Sequence, residues 1–420
     1  MFWLVETISQ LKEFYNKGYD EVFVEPIYLH DNVHPKLTDV SLLYIRPIKG
    51  RKGFIISVNH SEATSIQKKH IISLLKTFKT VFVRNEKMSL YHFPLKTLVD
   101  ASFNAPLLPE ITTPAHTFLY THHLNKLDIN RIVPIVKHYE KCENIFKQIK
   151  DYCYEQNKFY SKISKVFYFI ENNGIGINRK QFDKYFELPN DSFNIFENRI
   201  LTSYNLHTTT GRPSNSFNTI NFAALNKDNH SRRSFIPLND SFLEFDISAY
   251  HPTLASQLVN FSSSNIYNEF AEVAGVDVKQ AKELMFRQLY GGIMEEYKDW
   301  KFFQKIQTYI DKLWNQWETN DYIECPISKH HFHKKQIENV NPHKLFNYVL
   351  QNMETSNNVN IVWDIIKILK NKNTKLVLYT YDAFLFDVDD NEIDTIEEIK
   401  QIFSKYKLTV KAKTGLNYEF

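Results

Sequence analysis

Two aspartates, each at the end of a short apolar strand, are the residues best suited to metal chemistry. Residues 242–245 lead to Asp246, and residues 376–381 lead to Asp382. Carboxylates at strand ends suit hard cations, because a rigid sheet fixes their separation. Two Mg²⁺ ions about 4 Å apart on such a pair would stabilise the attacking and leaving oxygens of phosphoryl transfer. Taken singly, each aspartate is more simply explained as a turn former.

A second chemical pattern lies on a helix predicted over residues 278–291. Lys282, Phe286 and Tyr290 are spaced four apart and so share one face. The stripe rises roughly 12 Å, the length of an extended nucleoside triphosphate. A cation suits the phosphates, the central aromatic suits sugar and base, and the far tyrosine suits a template strand. On spacing alone, an amphipathic helix with a snorkelling lysine is the simpler explanation.

The composition describes a globular chain. Its 420 residues suffice for two or three domains, with 43% hydrophobic and 24% charged residues. A net charge of +3 is too small to indicate nucleic-acid binding by itself. The three cysteines (Cys142, Cys153 and Cys325) form no disulfide framework and suit a reducing compartment. No apolar run reaches the length of a membrane span, so we expect an intracellular, cytoplasmic protein without a membrane partner.

The elements that must position these residues follow from hydrophobic periodicity. The first third is predicted to be α/β, with a helix over 61–78, and the pattern turns helical from about residue 130 to 187. Strands are predicted at 21–29, 41–48, 52–58, 79–83, 241–248, 375–381 and 383–389. Further helices are predicted at 278–291, up to about 318, and at 343–370, and the chain ends in a helix and a strand.

In their order along the chain, the segments from about 160 to 420 resemble family A DNA polymerases (the DNA polymerase I family). Thr210-Gly211-Arg212 resembles the T-G-R segment that contacts primer and template, and 232–237 resembles R-x-x-F-x-P. Asp246 takes the place of the motif A aspartate and Asp382 that of motif C. The other matches are Lys282, Phe286, Tyr290 and Gly291 in the motif B pattern K-x-x-x-F-x-x-x-Y-G, and Asn347 with Gln351 in N-x-x-x-Q.

The resemblance implies a DNA-directed DNA polymerase that adds dNTPs to a primer 3′-OH by two-metal-ion chemistry. Its cofactor would be two Mg²⁺ ions, with Mn²⁺ as an alternative, and its partners primer–template DNA, dNTPs and a processivity or replisome partner. The implied metal site is Asp246, Asp382 and Ile247, and the catalytic residues are Asp246, Asp382 and Lys282. The implied nucleotide-binding residues are Lys279, Lys282, Phe286, Tyr290, His251, Tyr250 and Arg287. The implied primer–template contacts are Arg212, Thr210, Asn218, Asn221, Arg233, Asn347, Gln351 and Gly291.

Several positions depart from the family pattern. Motif C usually reads H-D-E, but Ala383 follows the aspartate here. His251 stands in place of the glutamate that disfavours ribonucleotides, so sugar selectivity by His251 or Tyr250 is a hypothesis. Val278 replaces a phosphate-binding arginine, for which Lys279 or Arg287 would have to compensate. These losses leave open a non-catalytic, nucleic-acid-binding remnant. A single-subunit RNA polymerase is a lesser alternative, because that relative usually carries Met where Phe286 stands.

Residues 20–145 resemble a degenerate 3′–5′ exonuclease domain, and an unrelated α/β domain is the alternative. Glu25 is kept, Phe23 and Ser89 replace two of the four carboxylates, and Glu143 substitutes for another. Because so few anions neutralise two Mg²⁺ ions poorly, we expect no proofreading. Residues 178–209 are too few for the family's helical thumb, so the resemblance predicts low processivity without a clamping partner.

The predicted fold class is α+β: a right-hand polymerase palm built on an antiparallel sheet, with helical fingers, preceded by an α/β exonuclease-like (RNase H-like) domain. The resemblance suits phage or plasmid replication. Two weaker signals are set aside: Cys325 with His330, His331 and His333 has no zinc-finger spacing, and the lysines of 298–312 suit a solvated helix face. The predicted domains are 1–125 (exonuclease-like), 126–205 (linker and reduced thumb), 206–261 (palm, motif A), 262–340 (fingers, motif B) and 341–420 (palm, motif C).

Overall fold

A computed structural model of the chain describes residues 3–29, 33–103, 133–154, 158–186, 194–215 and 220–420. The chain divides into two compact units. The amino-terminal unit comprises Met1–Gly174, Phe186–Asn205 and Asn215–Asn221, and the carboxy-terminal unit comprises Ile175–Tyr185, Leu206–Ser214 and Phe222–Phe420. Asn218, one of the predicted primer–template contacts, lies outside the described residues.

The amino-terminal unit contains a six-stranded mixed sheet in the order β1-β4-β3-β2-β5-β6. Its strands are β1 (Trp3–Val5), β2 (Glu21–Tyr28), β3 (Val40–Pro47), β4 (Phe54–Ser57), β5 (Thr80–Val83) and β6 (Leu98–Asp100). Its helices are α1 (Ile8–Tyr15), α2 (Lys68–Leu75), α3 (Glu86–Leu90), α4 (Ile135–Ile149) and α5 (Lys158–Asn173). Strands β8 (Ile195–Phe196) and β9 (Arg199–Ile200) form a small hairpin, and β10 spans Tyr204–Asn205.

Strand β2 shows why this sheet is buried on both faces. Val22 and Val24 point into one hydrophobic cluster, and Phe23 and Ile27 into the other. Because side chains alternate along a strand, a continuous apolar run covers both sides of the sheet. The predicted strands at 21–29, 41–48, 52–58 and 79–83 are thus confirmed.

The predicted helix over residues 61–78 is wrong in its first half, since α2 begins only at Lys68. The backbone N–H of Ile66 donates to the carbonyl of Ser57 at 2.8 Å, and the Ile66 side chain is buried. A tertiary hydrogen bond at the end of β4 therefore competes with the helical turn that periodicity suggested.

The residues that the resemblance assigned to an exonuclease site are engaged within the protein. Glu25 is buried and forms an ion pair with Arg84. Glu143 accepts a hydrogen bond from the Tyr44 hydroxyl at 2.7 Å and lies 3.5 Å from the Arg46 guanidinium. The retained carboxylates thus already have partners inside this unit.

The carboxy-terminal unit contains a four-stranded antiparallel sheet in the order β15-β16-β12-β17. Its strands are β12 (Ser241–Ile247), β15 (Lys375–Thr380), β16 (Ala383–Val388) and β17 (Val410–Gly415). Shorter strands are β7 (Ile175–Gly176), β13 (Tyr322–Glu324) and β14 (His331–His333), and β11 (Ser214–Asn215) spans the boundary between the units. Its helices are α6 (Arg179–Tyr185), α7 (Tyr250–Leu258), α8 (Ile266–Ala274), α9 (Val278–Gly291), α10 (Lys301–Thr319), α11 (Pro342–Leu369) and α12 (Ile393–Lys405).

Aromatic residues join this sheet to the helical layer. The ring of Phe245 on β12 packs 5.8 Å from Phe386 on β16 and 5.6 Å from Phe403 on α12. Since neighbouring residues of a strand face opposite sides, burying Phe245 turns Asp246 to the other face. Within the described ranges, no helix combines the length and the apolar character that crossing a membrane requires.

Candidate active site

Asp246 lies on β12 and Asp382 lies in the turn between β15 and β16, so the structure brings the two aspartates close together at one end of the sheet. Asp246 of β12 pairs with Ala383 of β16, the residue next to Asp382. The backbone N–H of Ile247 donates to the carbonyl of Asp382 at 2.8 Å. Tyr381, at the turn before Asp382, has a left-handed backbone with φ +65°. A tight hairpin turn therefore holds Asp382 beside the end of β12.

Both aspartates line a cavity of about 1480 Å³. Partial desolvation and the neighbouring charge of Asp246 raise the pKa of Asp382 to about 6, although part of the residue is exposed. The protein thus leaves a repulsive carboxylate pair without full compensation. A hard divalent cation would relieve that repulsion, so the donor set fits Mg²⁺.

Two carboxylates alone do not enclose a metal ion. In the described part of the chain, no three His, Cys, Asp or Glu side chains are grouped so that they could hold one. Mg²⁺ commonly takes one or two protein carboxylates and completes its coordination with water and substrate phosphates. The arrangement therefore suits an ion that arrives with a phosphorylated substrate.

A buried carboxylate on α11, Glu354, organises the wall beside the aspartates. The side chain of Glu354 is 2% exposed. Its Oε2 lies 2.9 Å from the Arg212 Nε and 3.2 Å from the His251 Nε2. Glu354 therefore holds the arginine of the T-G-R segment and the histidine of motif A at one point.

His251 connects Glu354 with helix α9. Its Nδ1 is hydrogen-bonded to the hydroxyl of Tyr290. The imidazole of His251 thus lies between the Glu354 carboxylate, beside its Nε2, and the Tyr290 hydroxyl, at its Nδ1. Burial and the charge of Glu354 raise the pKa of Tyr290, which keeps its hydroxyl protonated and able to donate. Tyr290, His251 and Glu354 therefore form a chain of contacts.

The predicted stripe on α9 faces the cavity. Lys282, Phe286 and Tyr290 line it, and the Phe286 and Tyr290 rings lie 5.6 Å apart. The adjacent face of the helix buries Ala281, Met285 and Leu289 in the core. Asp277 caps the helix by accepting from the Gln280 backbone N–H at 2.9 Å. The structure thus turns the stripe towards the two aspartates.

Two cations proposed to compensate for Val278 lie elsewhere. Lys279 and Arg287 are exposed, and neither is among the described residues that line the cavity. Val278 itself lines the cavity. Tyr250 also lines it, but its hydroxyl is buried and donates to the Asn358 side chain at 2.7 Å. Apart from Lys282, the cationic side chains of the wall therefore come from segments other than α9.

Arg212 lies next to the motif C turn. Its guanidinium is stacked 3.7 Å from the centroid of the Tyr381 ring. The preceding Gly211 has φ +66°, and a Cβ there would lie 2.6 Å from the Asn352 Nδ2, so glycine is required. Asn352 also donates to the carbonyl of Thr210 at 2.8 Å. Helix α11 thereby fixes the loop that presents Arg212.

The remaining predicted primer–template residues are less closely grouped. Asn347 and Gln351 line the cavity and are hydrogen-bonded to each other at 3.3 Å. Arg233 forms an ion pair with Glu419. Asn221 is exposed, and Gly291 is the last residue of α9. The structure thus gathers Arg212, Asn347 and Gln351 at the cavity and leaves Arg233 in a surface ion pair.

Four residues of this site were not singled out from the sequence. Glu354 and Asn358 lie one turn apart on α11 and are buried, and Lys407 and Lys411 line the cavity near β17. Glu354 and Asn358 carried no distinctive signal, because residues 354–358 form a continuous polar run in which no single position stands out. The two lysines carried none, since lysines on a carboxy-terminal strand are typical of a solvated edge.

No protein-family model matches the sequence, and a search of curated proteins by sequence finds no match. In structure, the chain is similar to the POL domain of Pol1 from M. smegmatis, solved in complex with a DNA primer-template and dNTP. The TM-score is 0.70 at 12% identity, and the match covers 99% of each chain. The chain therefore has the mixed α/β fold of a DNA polymerase I polymerase domain, and the predicted fold class is confirmed.

Proposed function

We propose that this protein is a template-directed DNA polymerase, a divergent relative of the DNA polymerase I family. The observation that carries the proposal is the convergence of Asp246 and Asp382 at one cavity with the Lys282 stripe of α9. The ligands of the M. smegmatis structure, primer-template and dNTP, are the ligands that we propose for this chain.

Asp246 and Asp382, with Ile247, would hold two Mg²⁺ ions, which supply charge neutralisation of the phosphates and activation of the primer 3′-hydroxyl. Lys282 would bind the triphosphate as a cation. Phe286 and Tyr290 would contact the sugar and the base, and Tyr290 is oriented for this by His251.

Arg212 would contact the primer–template beside Tyr381, together with Asn347 and Gln351. In its present position, Arg212 is held by Glu354 and by the Tyr381 ring. Because an arginine fork presents several donors, it can keep a carboxylate contact and still donate to a base edge or a sugar.

We further propose that the polymerase does not proofread. Glu25, which the resemblance places in the exonuclease site, is buried in an ion pair with Arg84. An arginine at that carboxylate occupies the position that a metal ion would need. Low processivity and a replisome partner belong to the same proposal.

Primer extension tests the proposed polymerase function. We expect wild-type protein to extend a primer on a DNA template with dNTPs, and Asp382→Asn and Asp246→Asn to lose about 10³-fold or more in rate. RNA templates and rNTPs, tested in parallel, define template and sugar preference. Asp228→Asn, at an exposed loop, is the control for loss of one negative charge.

Binding separates the second candidate function from the first. A non-catalytic remnant, suggested by Ala383 and Val278, would bind primer–template in a filter or anisotropy assay without extending it. Wild-type protein that binds but never extends, with Mg²⁺ or Mn²⁺, would refute the polymerase proposal and support the remnant.

A further inference from the structure

We infer that Lys407 and Lys411 form a binding site for the triphosphate tail and for the pyrophosphate that leaves it. The inference rests on the proposed polymerase function and adds a phosphate site on the palm to the lysine of α9.

The position of Lys411 follows from strand register. Strand β17 pairs with β12 on the side opposite to β16, and Lys411 lies directly across from Asp246. Directly opposed residues of an antiparallel pair project from the same face. Lys411 therefore shares a face of the sheet with Asp246 and lies on the side of β12 away from the β15–β16 turn that carries Asp382.

The scaffold under the two lysines is well fixed. The Ser248 backbone N–H donates to the carbonyl of Thr409 at 2.8 Å, which ties this segment to the end of β12. Lys407 follows α12 with a left-handed backbone, φ +56°, and its N–H donates to Ser404 at 2.9 Å. Thr409, Lys407 and Lys411 all line the cavity.

Neighbouring lysines are already neutralised, whereas these two are not. Lys405 lies 3.1 Å from Asp364, and Lys413 lies 3.7 Å from Glu244. For Lys407 and Lys411, the described residues provide no carboxylate within ion-pair distance. Two uncompensated ammonium groups in a cleft attract a polyanion.

The geometry of in-line displacement indicates which phosphates Lys407 and Lys411 contact. The bond between the primer O3′ and Pα forms while the bond between Pα and the bridging oxygen breaks. The electron pair of the broken bond leaves with pyrophosphate, and the proton of the primer hydroxyl passes to water. Attacking and leaving oxygens lie on opposite sides of the phosphorus. Arg212, the proposed primer contact, is stacked on Tyr381 at the Asp382 side. The leaving group therefore departs towards Lys411.

The apolar Val278 supports the same assignment. It lines the cavity one helical turn before Lys282, where the resemblance implies a phosphate-binding arginine. Lys279 and Arg287 are not among the described cavity residues. Lys407 and Lys411 supply the positive charge that α9 lacks at that position.

Pyrophosphate binding to the intact protein in Mg²⁺ buffer, measured by calorimetry without DNA, tests the site directly. We expect Lys411→Gln to weaken binding about tenfold, which corresponds to about 1.4 kcal/mol, and Lys407→Gln/Lys411→Gln to weaken it further, since each change removes a charged contact to the anion. Lys411→Arg should retain binding. Lys400→Gln, an exposed lysine paired with Glu397 on α12, removes the same charge away from the cavity and should change nothing.

Kinetics distinguish a triphosphate site from a DNA-backbone site. We expect the double variant to raise the KM for dNTP and the inhibition constant for pyrophosphate, with the Kd for primer–template unchanged. Unaltered pyrophosphate affinity in the double variant, or weaker DNA binding with pyrophosphate affinity retained, overturns the inference. Absence of extension by wild-type protein counts instead against the proposed polymerase function, because pyrophosphate binding is measured without catalysis.

Discussion

At the scale of single residues, one buried carboxylate contacts two residues of the candidate site. Glu354 contacts Arg212 on the proposed primer side and His251 on the nucleotide side, and His251 in turn holds Tyr290. A buried charge shared by two partners cannot release one without changing its interaction with the other. Glu354 is therefore expected to act as a positioning residue that couples the two binding regions.

A double-mutant cycle tests this coupling. Arg212→Ala and His251→Ala should each lower kcat/KM for primer extension, and their effects should be non-additive by about 0.5–3 kcal/mol. In a Glu354→Gln background the non-additivity should vanish, because the shared charge is gone. Glu354→Ala would also leave the half-buried Arg212 without its carboxylate and lower stability in urea unfolding.

Glu354→Gln is the matched control, since it keeps the shape of the side chain. If the non-additivity of Arg212→Ala and His251→Ala were equal with and without the Glu354 charge, the coupling would not depend on Glu354. Additive effects in the wild-type background would mean that the two regions act independently.

Glu86 in the amino-terminal unit carries a pH prediction. Its carboxyl is buried beside Asp100, and burial, opposed by Lys165, raises its pKa to about 8. The folded state therefore keeps a proton that the unfolded state has released. Unfolding free energy should fall as pH rises from about 4.5 to about 8, by a few kcal/mol in order of magnitude.

Urea midpoints at pH 5 and pH 8 measure this effect. Glu86→Gln, which cannot ionise, should flatten the dependence and stabilise the protein at pH 8 relative to wild type. Stability that rises between pH 5 and pH 8 in wild type, and equally in Glu86→Gln, would contradict the assignment to Glu86.

The candidate site could be predicted from the sequence only in part, for a physical reason. Asp246 and Asp382 end apolar strands, and Lys282 begins a helical stripe, so local pattern marks each of them. Glu354 contacts Arg212, which is distant in the chain, and Lys411 is brought beside Asp246 only by the pairing of β17 with β12. The local sequence pattern does not indicate such pairings.

At the scale of elements, helix α11 controls the hairpin that carries Asp382. The Asn358 Nδ2 donates to the carbonyl of Tyr381 at 2.7 Å and to the Tyr379 hydroxyl at 3.0 Å. Tyr381 is a bulky residue at φ +65°, a conformation that costs about 1 kcal/mol or more and needs support from its surroundings. The helix supplies that support and so sets the position of the next residue.

Asn358→Ala should therefore lower primer-extension activity more than it lowers the stability of the fold. We expect a loss of about 1–3 kcal/mol in unfolding free energy, because the Tyr381 carbonyl loses a buried donor. Primer extension should fall further than this stability loss explains at 25 °C, where the variant is still folded. Ser356→Ala, a buried polar residue of α11 whose hydroxyl bonds within the helix to Asn352, is the control.

If Asn358→Ala and Ser356→Ala lower activity alike, α11 acts only as a core helix. The long helix itself was predictable, since residues 343–370 were expected to be helical and α11 spans Pro342–Leu369. The left-handed Tyr381 was not, because nothing in the sequence marks a tyrosine as the residue that accepts φ +65°.

At the scale of the whole molecule, the two units differ in how their charged side chains are neutralised. The carboxy-terminal unit leaves Asp246, Asp382, Lys407 and Lys411 open to a cavity. In the amino-terminal unit, two buried ion pairs are formed within the unit, between Lys87 and Glu171 and between Glu25 and Arg84. One unit is thus arranged for charged ligands and the other for internal support.

The Glu25–Arg84 pair gives the prediction that separates a structural role from a nuclease role. Glu25→Ala should cost about 3–5 kcal/mol in unfolding free energy, because it removes the carboxylate that compensates the buried charge of the Arg84 guanidinium. Glu25→Leu combined with Arg84→Leu should recover much of that loss, since apolar side chains replace both charges. Neither change should alter the release of a mismatched 3′ nucleotide, which we expect to be absent in wild type. A wild-type protein that excises the mismatch, and loses excision in the stable double-leucine variant, would show instead that Glu25 serves a nuclease site.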